Sequence, residues 1–125
     1  IVSKFLKNRR PLPAVSLTTN TSTITSIAND FSYNSVFSKQ IEAIGKGNDV
    51  LFAISTSGNS KNIINAINLA NKIGIKTILL IGENLKKKIK CNIILSTPGK
   101  RVDRIQELHI HIGHTICEIL EKKLC

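Results

Sequence analysis

Val50-Leu51-Phe52-Ala53-Ile54, Ser55-Thr56-Ser57-Gly58-Asn59-Ser60, the stretch Asn62 to Ile73, and then Ile75 to Ile81 follow one another and decide the fold. The first run is apolar without interruption, as in a strand buried on both faces. The third segment sets Ile63, Ala66, Ile67, Ala70 and Ile73 on one helical face and stops at Gly74. Ile75 to Ile81 is again a buried-type strand. Strand, polar loop, helix and strand within about 30 residues make a βαβ unit, whose crossover is expected to be right-handed.

The flanking sequence extends the same alternation. Leu12 to Leu17 is short and apolar behind Arg9-Arg10-Pro11 and reads as a strand, and Thr18 to Ser26 carries a weak helical signal. Asn34 or Ser35 caps a helix with Val36, Phe37, Ile41 and Ile44 on its apolar side, closed by Gly45. Asn92 to Ser96 fits a further strand beyond the lysine-rich stretch Glu83 to Lys90, which reads as a solvated surface loop. Pro98-Gly99 then precedes a last helix, roughly Asp103 to Lys123, striped by Ile105, Leu108, Ile112, Ile116, Ile119 and Leu120. The expectation is one α/β domain over residues 1–125: three layers, helices on both faces of a mostly parallel sheet with strands near 12–18, 50–54, 75–81 and 92–96.

Composition narrows the function classes. The 125 residues include 18 Lys and Arg against 8 Asp and Glu, a net charge of +10, so acidic or phosphorylated partners are favoured. Fourteen Lys, 21 Ile and 12 Asn suggest that an AT-rich coding sequence contributes to that charge. Direct nucleic-acid binding lacks a motif and has only four Phe and one Tyr to stack on bases, so nucleic acid is not expected as a partner. No run approaches the roughly 20 apolar residues of a membrane helix. Cys91, Cys117 and Cys125 are odd in number and lack C-x-x-C spacing, as for inert thiols of a reducing cytoplasm.

Ligands of open parallel sheets bind beyond the carboxyl ends of the strands. The stretch Ser55 to Ser60 lies there, with four hydroxyls from Ser55, Thr56, Ser57 and Ser60, a Gly58 that permits close backbone approach, and a helix N-terminus behind it. It is a phosphate cradle without a P-loop signature. The plain alternative is that Ser57 or Ser60 only caps the helix, but a cap needs a single hydroxyl.

Four segments in order carry a resemblance: Ala53 to Ser60; Arg9-Arg10-Pro11-Leu12-Pro13-Ala14 ahead of Leu17 to Ser22; Ala28-Asn29-Asp30-Phe31 leading to Val36-Phe37-Ser38-Lys39-Gln40; and Arg104-Ile105-Gln106-Glu107-Leu108-His109-Ile110 running on to His114. Together they resemble the sugar isomerase (SIS) domain, and more narrowly the phosphoheptose isomerase family. The resemblance implies a cytoplasmic homotetramer that interconverts sedoheptulose 7-phosphate and D-glycero-D-manno-heptose 7-phosphate on the way to ADP-heptose and bacterial surface polysaccharide. It implies phosphate binding by Ser55, Thr56, Ser57 and Ser60 and sugar contacts from Asn29 and Asp30. Gln106 and His114 fall at the isomerising end and, in zinc-containing members, ligate the metal, with His114 in the catalytic role. Without the resemblance, Asn29-Asp30 reads as a helix-ending turn.

Aldose–ketose isomerisation passes through an enediol and needs a base, an acid and stabilisation of the oxyanion. His109, His111 and His114 are all candidates by residue type, and periodicity does not choose among them. Gln106 and His114 stand about 12 Å and about 80° apart on an ideal helix, whereas His111 and His114 make an easier local metal pair.

The family's chain begins well upstream, with a Gly-Asn-Gly-Gly-Ser loop, an acid/base Glu and a further metal-binding His. Because this chain opens on Ile1 and lacks them, it is expected to be a fragment that is inactive or nearly so, with an incomplete zinc site. Lys4 also stands where an Arg is usual, and Lys86-Lys87-Lys88 replaces paired glycines. The competing reading is a non-catalytic SIS module similar to the DnaA initiator-associating protein, which binds a replication initiator. That protein commonly has an Arg at the position of Ser57, and Ser57 keeps the isomerase form.

Overall fold

The computed structural model describes residues 1–83 and 88–125. Three strands form one sheet: β1 (Val50–Ser55), β2 (Lys76–Gly82) and β3 (Ile93–Thr97). They are ordered β1-β2-β3 and every pairing is parallel, with Val50 opposite Lys76 and Ile78 opposite Ile93. The helices are α1 (Thr21–Asp30), α2 (Val36–Ile44), α3 (Lys61–Lys72) and α4 (Val102–Leu124), with a short 3₁₀ turn at Tyr33–Ser35 before α2.

Side-chain alternation along β2 divides the layers. Leu79 and Ile81 join Ala53 and Leu51 of β1 beneath α3, where Ile67 is fully buried and Ile63 and Ile64 pack around it. Behind α3, Ala66 and Ala70 meet Ile41 of α2 and Ile75, so small residues on α3 let the two helices approach closely. On the opposite side Gly82 faces Ile105 of α4. The expected three-layer α/β arrangement therefore stands, and its sheet is parallel throughout.

One expected strand is missing. Leu12 to Leu17 adopts no strand pairing, and Leu12 is instead buried as a single anchor. Pro13 removes one of the amides that a ladder would need. Ser16 begins a turn in which its carbonyl accepts from the Thr19 hydroxyl at 2.9 Å. The first helix also runs later than its weak signal suggested. Asn20 caps it by accepting from the Thr23 amide at 3.0 Å, and it continues to Asp30. Residues 84–87, including Lys86 and Lys87 of the expected surface loop, lie outside the described residues.

The N-terminal segment is fastened to α4 through a buried carboxylate. Glu121 accepts from the amides of Phe5, Leu6 and Lys7 at 3.0, 2.7 and 2.8 Å and from Arg9 Nε at 2.8 Å. Burial alone would raise its pKa, but the three amides and the guanidinium outweigh burial and hold it at about 2. Glu121 lies about 160° round an ideal helix from Ile105, so the N-terminal segment and not the sheet covers it.

Candidate functional site

β1 ends at Ser55, and the chain turns at Gly58, whose φ of 64° is the left-handed conformation that glycine adopts without strain. The Ser55 hydroxyl accepts from the Gly58 amide at 3.1 Å and lies 3.4 Å from the Ser60 hydroxyl. Ser57 Oγ accepts from the Asn59 amide at 3.2 Å. Ser60 occupies the N-cap position of α3, yet its side chain makes no capping hydrogen bond. The cap alternative therefore does not account for the hydroxyl of Ser60. The Thr56 carbonyl accepts from the Gly82 amide at 3.1 Å, which pins this loop to the end of β2.

Across from the loop stands the first half of α4. A cleft of about 570 Å³ is lined by Ile54, Ser55, Thr56 and Ser60 on one side and by Gln106, His109 and Ile110 on the other. The i, i+3, i+4 spacing of those last three makes them neighbours on one helix face. The wall is apolar at Ile54 and Ile110 and polar elsewhere, with three hydroxyls, one amide and one imidazole, and no carboxylate among the lining residues. Hydroxyls, a helix N-terminus and an N–H-bearing ring suit an oxyanion that is rich in acceptors.

Of the residues singled out from the sequence, Ser55, Thr56, Ser60 and Gln106 come together in this cleft. Ser57 is exposed on the loop next to it. Asn29 and Asp30 sit exposed at the end of α1 and bond to each other, Asn29 Nδ2 donating to Asp30 Oδ1 at 2.9 Å, and they do not line the cleft. His114 is exposed one turn beyond Ile110, with its ring centroid 5.9 Å from that of Phe5.

His109, which the family resemblance passed over in favour of His114, is the histidine that lines the cleft. Its i+4 spacing from Ile105 is the only local sign of this.

These residues do not by themselves fit a zinc ion. Among the described residues no group of three or more His, Cys, Asp or Glu side chains is placed to hold a metal. Gln106 lines the cleft while His114 lies against Phe5, leaving two ligands at most where a catalytic zinc takes three from the protein. Among the described residues, no helix is long and apolar enough to cross a membrane, including the 23-residue α4.

A family model described as SIS domain matches residues 1–82. A phosphoheptose isomerase of Clostridium acetobutylicum is 51% identical over 124 residues, which is 98% of this chain and 63% of that protein. Among solved structures, a phosphoheptose isomerase from Francisella tularensis superposes with a TM-score of 0.92 at 36% identity, covering 98% of this chain and 66% of the other. One from Neisseria gonorrhoeae gives 0.81 at 43% identity, over 85% and 61% of the two chains. The chain thus spans less than two thirds of the length of these relatives. None of the three carries an initiator-associating name.

Proposed function

The chain belongs to the SIS domain family, within which it aligns with phosphoheptose isomerases, and on that premise we propose that its protein interconverts sedoheptulose 7-phosphate and D-glycero-D-manno-heptose 7-phosphate. The product would feed ADP-heptose and surface polysaccharide synthesis in the cytoplasm. The observation that carries this reading is the cleft itself, where the Ser55–Ser60 loop faces Gln106 across the carboxyl end of β1.

In this proposal the hydroxyls of Ser55, Thr56, Ser57 and Ser60, with the N-terminal amides of α3, take the phosphate. The sugar then extends along α4, towards Gln106 and on to His114. The isomerisation removes a proton from one carbon next to the carbonyl and returns one to its neighbour, through an enediolate. His114 is the group proposed to carry a proton at that end, on the family resemblance. Gln106 donates its amide N–H to the developing oxyanion. Asn29 and Asp30 are proposed sugar contacts, on the family resemblance alone. Zinc has no step in this account, because the side chains of the described residues do not assemble its ligands.

Isothermal titration of the chain with sedoheptulose 7-phosphate tests the assignment. The ligand should bind, and Ser55→Ala with Thr56→Ala should weaken it, each lost hydrogen bond to a charged phosphate removing roughly 1.5–3 kcal/mol. Equal affinity in the double variant would remove the phosphate from this loop.

A further inference from the structure

Among the described residues, the buried polar side chains are partnered, with one exception. Ser55 bonds to Gly58, Asn62 accepts from the Ile63 amide at 2.9 Å, and Thr97 donates to the Ile81 carbonyl at 2.9 Å. Thr77 is tied to Asn92, and Glu121 to the N-terminal segment. His109 is only 4% exposed, and among the described residues neither Nδ1 nor Nε2 has a hydrogen-bond partner. Native structures seldom leave such a group unpaired, because desolvation without a compensating bond is unfavourable. The same ring lines the cleft beside Ser55, Thr56, Ser60 and Gln106.

We infer that His109 is a ligand-binding residue whose imidazole N–H donates a hydrogen bond to an oxyanion of the sugar phosphate held by the Ser55–Ser60 loop. The inference rests on the sugar-phosphate reading of that loop and adds the partner on the opposite wall. A phosphate monoester presents acceptors on every side, so donors on the loop alone leave its far oxygens unserved. A neutral imidazole has one N–H and one bare nitrogen. The N–H serves a phosphate oxygen, and the bare nitrogen can accept from a sugar hydroxyl. Because α4 carries Gln106 one turn before His109, both donors project from one helix face towards the loop. Leaving both ring nitrogens buried and unpaired comes at some cost to the fold.

That cost makes the inference separable from a structural role. Replacing an unpaired buried imidazole by an apolar side chain should leave thermal stability unchanged or raised, while ligand affinity falls. In His109→Leu, affinity for sedoheptulose 7-phosphate should drop about ten- to a hundredfold, as expected for a bond to a charged group. His109→Asn or His109→Gln, whose amide N–H falls near the place of Nδ1 or Nε2, should recover part of the loss. In the unsubstituted chain, the imidazole ¹⁵N resonances of His109 should shift on titration with sedoheptulose 7-phosphate, in step with the Ser55–Ser60 amides, and also with inorganic phosphate. Loop amides that shift at saturation while His109 stays still, or a His109→Leu variant that binds as the parent does, would overturn the inference and leave the phosphate loop intact. Neither set responding to sedoheptulose 7-phosphate would overturn both. The resonance titration decides the matter even if His109→Leu fails to fold.

Discussion

At the scale of single residues, Gly82 shows how closely the site is fitted to the sheet. It ends β2, and its amide holds the Thr56 carbonyl at 3.1 Å. A Cβ built there would stand 2.7 Å from that carbonyl oxygen and 2.8 Å from Ile105 Cδ1. The second contact can yield by a rotamer change, but the first is backbone and cannot. Gly82→Ala is therefore expected to push the loop away from β2, at about 1–3 kcal/mol of stability for the overpacking. Because the displaced segment carries Ser55 and Thr56, affinity for sedoheptulose 7-phosphate should fall in the same variant. Thermal melts and ligand titration measure the two effects, and a variant with the parent's melting temperature would show that the loop has room to spare.

Among the elements, α4 does three jobs along its length. Ile105 packs on the sheet, Gln106, His109 and Ile110 face the cleft, and Glu121 with His114 meets the N-terminal segment. The strap at Glu121 has a pH dependence whose sign follows from its pKa. The folded value of about 2 lies below the ordinary 4.5, so the carboxylate stabilises the fold fully above about pH 4.5. That contribution is lost as the pH falls from there through 2. Hydrogen exchange at the amides of Phe5, Leu6 and Lys7 should stay protected at neutral pH and open selectively in that acid window, ahead of the β2 amides. In Glu121→Gln, which keeps the shape but loses the charge, these three amides should exchange faster than in the parent at neutral pH, with the difference closing as the pH falls through the acid window. Unchanged protection would mean that Leu12 and its neighbours hold the segment without the carboxylate.

Taken whole, the molecule covers one face of its sheet far better than the other. The α3 side is covered except at Ile94 of β3, whereas on the α4 side Ile54 and Ile93 remain half exposed, and α4 itself shows Ile110, Ile119 and Leu124 to solvent. Apolar residues so spread over one side favour burial against further polypeptide. The homotetramer that the family resemblance implies, with α4 in the interface, would supply such cover. Light scattering at micromolar concentration should show an assembly larger than a monomer, and Ile119→Glu should dissociate it. A monodisperse, well-folded monomer would count against that arrangement.

The sequence by itself determined the βαβ unit, α2, β3 and α4, because apolar period, N-caps and glycine stops are local signals that read the same in any context. It also placed the hydroxyl loop beyond the end of β1, since a parallel sheet leaves its loops there. The family was legible too, in four ordered segments that include this loop. Tertiary structure alone decided that Leu12 to Leu17 is an anchored extension, as pairing depends on a neighbouring strand and on an amide that Pro13 lacks. Only there does His109 part company with His111 and His114, because helical spacing ranks positions around an axis without saying which side meets the loop. Glu121 is the extreme case. Its burial comes from a segment more than a hundred residues away in sequence, a contact for which no local pattern exists.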